Sequence, residues 1–214
     1  MPFTDRIDAG RQLARALAHL ADEHPVVLGL PRGGVPVAHE VAAALHAPLD
    51  VVVARKLGAP DQPELAIGAI ARGARYVDPM VAAATGTTVA YLEQVTARER
   101  QELERREQEY RRGRPPLDLV GHTVILVDDG LATGATARAA VAAIRRAGAA
   151  HIVLAVPVGA PESIARLQHV VDELVYLEAP RDFRAVSLHY RRFDPTSDAE
   201  VQYYLADPVT QALS

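Results

Sequence analysis

The stretch that most constrains this chain is Val124-Ile125-Leu126-Val127-Asp128-Asp129-Gly130-Leu131-Ala132-Thr133-Gly134-Ala135-Thr136. Its four leading apolar residues, bounded by turn formers, read as a strand buried on both faces, which is the mark of a parallel sheet. Residues 137–147 are Ala-rich and helical in composition, so residues 131–136 form the strand-to-helix loop at the carboxyl edge of that sheet. Open α/β sheets bind ligands there. Small residues at Ala132, Gly134 and Ala135 leave backbone N–H groups open to an anion beside a helix N-terminus, and Thr133 and Thr136 add hydroxyl donors. Asp128 and Asp129 can accept from vicinal hydroxyls and favour positive charge on a sugar ring. Taken alone, Asp128-Asp129-Gly130 is equally a polar strand end and Thr136 equally a helix N-cap. The whole pattern suits a phosphorylated sugar.

Further strands are expected at residues 26–30, 49–54, 65–70, 151–158 and 173–177, with residues 72–77 pairing back on the third as a hairpin. Helices are expected at 3–21, 37–45, 88–112, 137–147 and 161–168, and near 197–205. This alternation predicts a right-handed parallel sheet with helices on both faces. After the first strand, Pro31-Arg32-Gly33-Gly34-Val35-Pro36 places a tandem glycine beside a cation, which suits pyrophosphate and is equally a tight turn with an exposed Arg32. Arg55 and Lys56 end the next strand, where two cations could neutralise a leaving pyrophosphate or simply face solvent. The helix over 88–112 interleaves Arg with Glu, so a solvated helix or a subunit contact fits it better than RNA.

The central motif resembles the 5-phosphoribosyl 1-pyrophosphate (PRPP) signature of the type I phosphoribosyltransferases (PRTases). The resemblance spans about residues 26–177. It implies a PRTase-like parallel sheet plus a small C-terminal hood over about 178–205, within one phosphoribosyltransferase domain covering 1–214. It further implies that Asp128 and Asp129 bind the ribose hydroxyls, that Ala132, Thr133, Gly134, Ala135 and Thr136 hold the 5′-phosphate, and that Arg32, Gly33, Gly34, Arg55 and Lys56 hold the pyrophosphate. A loop from about residue 59 would close over the reacting centre, with Glu64 as a catalytic candidate that is otherwise an exposed loop carboxylate. In the hood, Phe183, Arg184 and Tyr190 are the candidate acceptor contacts, and the aromatic rings there are also expected to pack as a satellite core. Mg2+ is implied through PRPP rather than through direct protein ligands. Pyrophosphate would leave through an oxocarbenium-like state, and a nitrogen nucleophile, a nucleobase or related amine, would attack.

Two departures stand out. Gly130 replaces the usual aliphatic residue, and Ala132 stands where 6-oxopurine-salvage members carry an acidic general base, which counts against hypoxanthine or guanine. The order Pro-Arg-Gly-Gly, Arg-Lys-Leu-Gly, charged helix, Asp-Asp-Gly and late Phe-Arg-Ala-Val is similar to a bacterial branch with an unassigned acceptor. The other class consistent with these motifs is a non-catalytic module that senses PRPP or a nucleotide.

At 214 residues and formal charge −4, the chain has no global basic excess to hold nucleic acid. Without cysteine it has no disulfide, thiolate zinc site or thiol nucleophile. No histidine pair has metal-ligand spacing, and P-loop, dinucleotide and nucleophile-elbow motifs are missing. No apolar run reaches the ~20 residues of a membrane span, and the amino terminus lacks a secretory pattern, so a cytoplasmic location is expected. Homodimers, common in the resembled family, are the assembly the long charged helix could serve.

Overall fold

The computed structural model describes residues 2–207. Residues 208–214 of the expected domain lie outside the described residues. In chain order the elements begin with α1 (Arg6–Ala16), a 3-10 segment (Ala18–Glu23), β1 (Val26–Gly29), α2 (Gly34–Leu45) and β2 (Leu49–Val51). Three strands follow, β3 (Ala54–Gly58), β4 (Ala66–Ala71) and β5 (Ala74–Val77), then the short α3 (Pro79–Ala84) and the long α4 (Val89–Arg111). The second half runs β6 (Thr123–Val127), α5 (Ala135–Arg146), β7 (His151–Val158), α6 (Pro161–Leu167) and β8 (Glu173–Glu178). A 3-10 turn (Val186–His189) and α7 (Asp198–Leu205) complete it.

Five strands form one sheet in the order β2-β1-β6-β7-β8, parallel throughout. Strand alternation sorts their side chains onto two faces. Val26, Leu28, Val124, Leu126, Ile152 and Leu154 join the core under α5 and α6. Val27, Ile125, Val127, Val153 and Ala155 join the larger core under α1, α2, α4 and α7. The expected parallel sheet with helices on both faces is therefore what the chain builds.

The chain leaves that sheet earlier than expected. Val52 and Val53 stay buried but outside any strand, although Val52 N–H still donates to Gly29 O at 3.2 Å, and the basic residues belong to β3, an edge of a separate antiparallel sheet β3-β4-β5. Arg72 and Gly73 (φ +69°) make the hairpin turn instead of entering β5. Asp78 accepts from the N–H groups of Met80 and Val81 at 3.0 and 3.2 Å and starts α3, which the sequence pattern did not announce. At the amino end, α1 stops at Leu17 and tightens into a 3-10 turn, so the expected helix over 3–21 is two segments.

The far end of α4 is fixed by buried polar contacts. Arg111 Nε reaches both Asp50 oxygens at 3.0 Å and its Nη2 donates to the Val51 carbonyl at 2.7 Å. Tyr110, fully buried, donates its phenol to Asp198 Oδ1 at 2.7 Å, and burial pushes that phenol up to about 12. Helices α4 and α7 are thereby tied together beside the edge strand.

Candidate active site

Strand β6 delivers Asp128 and Asp129 to the carboxyl edge of the sheet, and the chain then turns through residues 130–134 into α5. The turn is stitched to its neighbours. Leu131 N–H donates to Val158 O at 2.8 Å, Ala160 N–H donates to Leu131 O at 2.8 Å, and Ser163 Oγ donates to Ala132 O at 2.5 Å. Gly134, not Thr136, is the N-cap of α5, in the left-handed region at φ +76° and with no side-chain cap. Thr136 lies inside the first turn. The leading N–H groups of α5 therefore carry no side-chain acceptor, the state that best serves an anion.

The Gly-Gly turn lies directly on the acid pair. A Cβ at Gly33 would sit 2.0 Å from Asp129 Oδ2, and one at Gly34 would sit 2.7 Å from Val127 O and 2.9 Å from Asp128 Cα. Both glycines are required by this close approach rather than by their backbone angles, since neither has positive φ. The peptide between Pro31 and Arg32 is cis. The Arg32 side chain is exposed and forms no ion pair among the described residues.

Asp128 Oδ1 accepts from Asp129 N–H at 2.9 Å. Burial and then the Asp129 charge push the Asp128 carboxyl well above the usual carboxylate range, while Arg6 and Lys56 oppose that rise. Burial raises Asp129 too, against the pull of Arg6. Two adjacent, shielded carboxylates resist carrying two negative charges until a cation arrives.

Arg6, in the first turn of α1, is a residue of this site that the sequence analysis did not single out. Its Nε donates to Asp129 Oδ2 at 2.9 Å, its Nη1 donates to Asp194 O at 2.8 Å, and its guanidinium lies 3.9 Å from the Phe193 ring centroid. A signal was available. A cation in the first turn of a helix opposes the macrodipole, so its partner has to come from elsewhere in the fold.

Arg55 and Lys56 part company, because adjacent strand residues point to opposite faces. Arg55 makes two bonds to Glu99 of α4, at 3.0 and 2.8 Å. Lys56 instead lines a cavity of about 250 Å³ together with Glu64, Thr133, Gly134, Ala135 and Arg138. The hairpin thus brings Glu64 and Lys56 to the turn that leads into α5, while Arg55 pairs with Glu99 instead.

The hood forms a small core of Phe3, Ala9, Val158 and Tyr190, with Phe183, Val186 and Phe193 against it. Phe183 stacks on His189 at 5.5 Å, Arg184 is exposed, and Tyr190 is buried, its hydroxyl donating to the Asp129 carbonyl at 2.5 Å. Burial raises the Tyr190 phenol, which remains a donor. Gly130 has a physical reason here: a Cβ would lie 2.5 Å from Val186 Cγ1, so the hood fills the space that an aliphatic side chain would otherwise take.

The phosphoribosyl transferase domain family matches residues 4–190. The Mycobacterium tuberculosis protein named "Putative phosphoribosyl transferase Rv0571c" is 52% identical over 204 residues, covering 95% of this chain and 46% of its own length. A second M. tuberculosis strain carries a protein of the same description and identity. The chain thus spans about half the length of the curated relatives it matches. The crystal structure of TT1426 from Thermus thermophilus is 46% identical, with TM-score 0.82 over 96% of this chain and 98% of that one. By the family match over most of its length and by these relatives, the chain belongs to the phosphoribosyltransferase family.

Proposed function

We propose that the chain binds Mg-PRPP at this sheet edge and transfers the phosphoribosyl group to a nitrogen nucleophile, releasing pyrophosphate. The observation that carries the reading is the packing of the Pro31–Gly34 turn on the acid pair, next to the uncapped first turn of α5. Two anion cradles and a hydroxyl-accepting pair then lie around one sugar.

In this reading residues 132–136 hold the 5′-phosphate through the N–H groups and hydroxyls of the loop. Asp128 and Asp129 accept from the ribose hydroxyls and stabilise positive charge as the anomeric C–O bond breaks. Gly33, Gly34 and Arg32 take the pyrophosphate, joined by Lys56. Arg55, committed to Glu99, is left with a structural role. Glu64 comes over the site with the hairpin, where closure excludes the water that would hydrolyse the donor.

The residues fit a Mg2+ carried mainly by its ligand. Two adjacent carboxylates face the site, and among the described residues no group of three or more His, Cys, Asp or Glu could cage a metal. When bound, Mg2+ supplies charge that neutralises the pyrophosphate. The nucleophile attacks the anomeric carbon, its N–C bond forms as the C–O bond breaks, and its proton passes to solvent or to a nearby base. No helix among the described residues is long and apolar enough to cross a membrane.

Pyrophosphate release from Mg-PRPP, followed across a panel of purines, pyrimidines and small amines, tests the transfer. The reading expects release that depends on one acceptor and is lost in Asp129→Asn. Stoichiometric PRPP binding with no acceptor-dependent release across the panel would replace transfer by sensing.

A further inference from the structure

The opposite end of α5 lines a cavity that the proposed transfer site does not use. It holds about 400 Å³, within the range of small-molecule sites, and its apolar walls come from Leu28, Val52, Leu117, Leu119 and Ile144. Three arginines also line it: Arg72 from the hairpin turn, Arg111 from the end of α4 and Arg146 from the end of α5.

The acidic groups in this wall are already engaged. Asp50 is held by Arg111 and by the N–H groups of Val51 and Leu117, Glu107 by Arg72, and Asp118 Oδ1 accepts from Val120 N–H at 3.0 Å. The cations are not equally satisfied. The Arg111 side chain is only 10% exposed, yet its Nη1 has no hydrogen bond among the described residues, and its nearest carboxylate partner, Glu107 Oε1, is 3.8 Å away. Arg146 is exposed and forms no ion pair among the described residues. Arg111 lines this apolar chamber with an N–H edge that can still take an acceptor, and Arg146 adds a second cation.

We propose that this cavity is a binding site for a small amphipathic anion, an apolar body carrying one acidic group. The body would lie against Leu28, Leu117, Leu119 and Ile144. The acidic group would meet Arg111 Nη1, with Arg146 at the mouth. Because Arg72 belongs to the hairpin and α5 begins at the anion loop, the site joins two elements that also border the proposed transfer centre.

The test uses 8-anilinonaphthalene-1-sulfonate, an aromatic sulfonate of suitable size, titrated into the folded full chain and followed by fluorescence. Saturable one-to-one binding is expected. Ala147→Phe, at an exposed position on the cavity wall, should weaken it at least tenfold by filling the chamber, and Arg146→Glu at least fivefold by reversing the charge at the mouth. Both variants should keep the wild-type thermal transition; if Ala147→Phe does not, Arg146→Glu decides. No saturable binding, or unchanged binding in the deciding variant, overturns the proposal. Sedimentation of the same samples adds one outcome: if wild type self-associates and Ala147→Phe abolishes it, this face is a protein interface and the ligand site is refuted.

Discussion

Alanine at Gly130 tests whether the hood is seated on the acid pair. The new Cβ would lie 2.5 and 2.7 Å from the two Val186 methyl carbons and 3.1 Å from Val186 Cβ. Carbon pairs rest at about 3.5–4.0 Å, so relief needs a displacement of roughly 1 Å. Overpacking of this kind costs about 1–3 kcal/mol. Gly130 is not among the left-handed glycines, so alanine meets no backbone penalty, and it recovers about 0.4–1 kcal/mol by restricting the unfolded chain. The net expectation is a loss of ~1–2 kcal/mol. Urea denaturation followed by circular dichroism should show a lower midpoint with an unchanged slope. In a Val186→Ala background the opposing methyls are gone, and the same substitution should be neutral or mildly stabilising, a coupling of about 1–3 kcal/mol. Equal losses in both backgrounds would refute the contact and with it this explanation of Gly130.

Asp128→Asn should stabilise the ligand-free chain at neutral pH. The folded state holds the Asp128 proton more tightly than the unfolded chain does, so stability falls as pH rises through the raised folded-state pKa; the gain should shrink on acidification and vanish below the ordinary carboxylate range, as denaturation midpoints across pH will show. Arg6→Gln removes the partner of a shielded carboxylate and should cost roughly 2–4 kcal/mol in the same assay, less than a fully uncompensated buried charge because Asp129 can take up a proton. Lys56→Ala should weaken inorganic pyrophosphate binding about tenfold by calorimetry, the scale of one charge-assisted contact, whereas Arg55→Ala should lower stability and leave that affinity unchanged.

The parallel core was legible because every residue of the β6 run faces protein, and period and turn chemistry agree along it. The strand-to-helix turn after β6 was legible for the same reason: glycine and threonine at fixed offsets after a buried strand leave few alternatives. Boundaries were less so. Residues 49–54 read as one strand ending at Arg55 and Lys56 because burial continues through Val52 and Val53 while the hydrogen-bond partner changes, and sequence records burial rather than pairing. The opposite directions of Arg55 and Lys56 follow from that missed second sheet. Thr136 read equally well as an N-cap, but the chain reaches the left-handed region at Gly134 first and starts the helix there. Arg6 and Val186 were not legible as site residues, since their partners, Asp129 and Gly130, are far away in the chain. Contacts of that range are set by how the hood folds back, and local pattern does not encode it. Tyr190, a candidate acceptor contact, braces the Asp129 carbonyl, a role that a buried phenol takes when a hydrogen-bond acceptor lies within reach.

The most direct test of the central claim is calorimetric titration of PRPP into the chain with and without Mg2+, with Asp128→Asn alongside. The account predicts saturable binding that Mg2+ strengthens and that the variant loses, although the variant is the more stable protein. PRPP binding of equal strength in wild type and Asp128→Asn, or no binding by folded wild type even with the acceptor panel present, would contradict it.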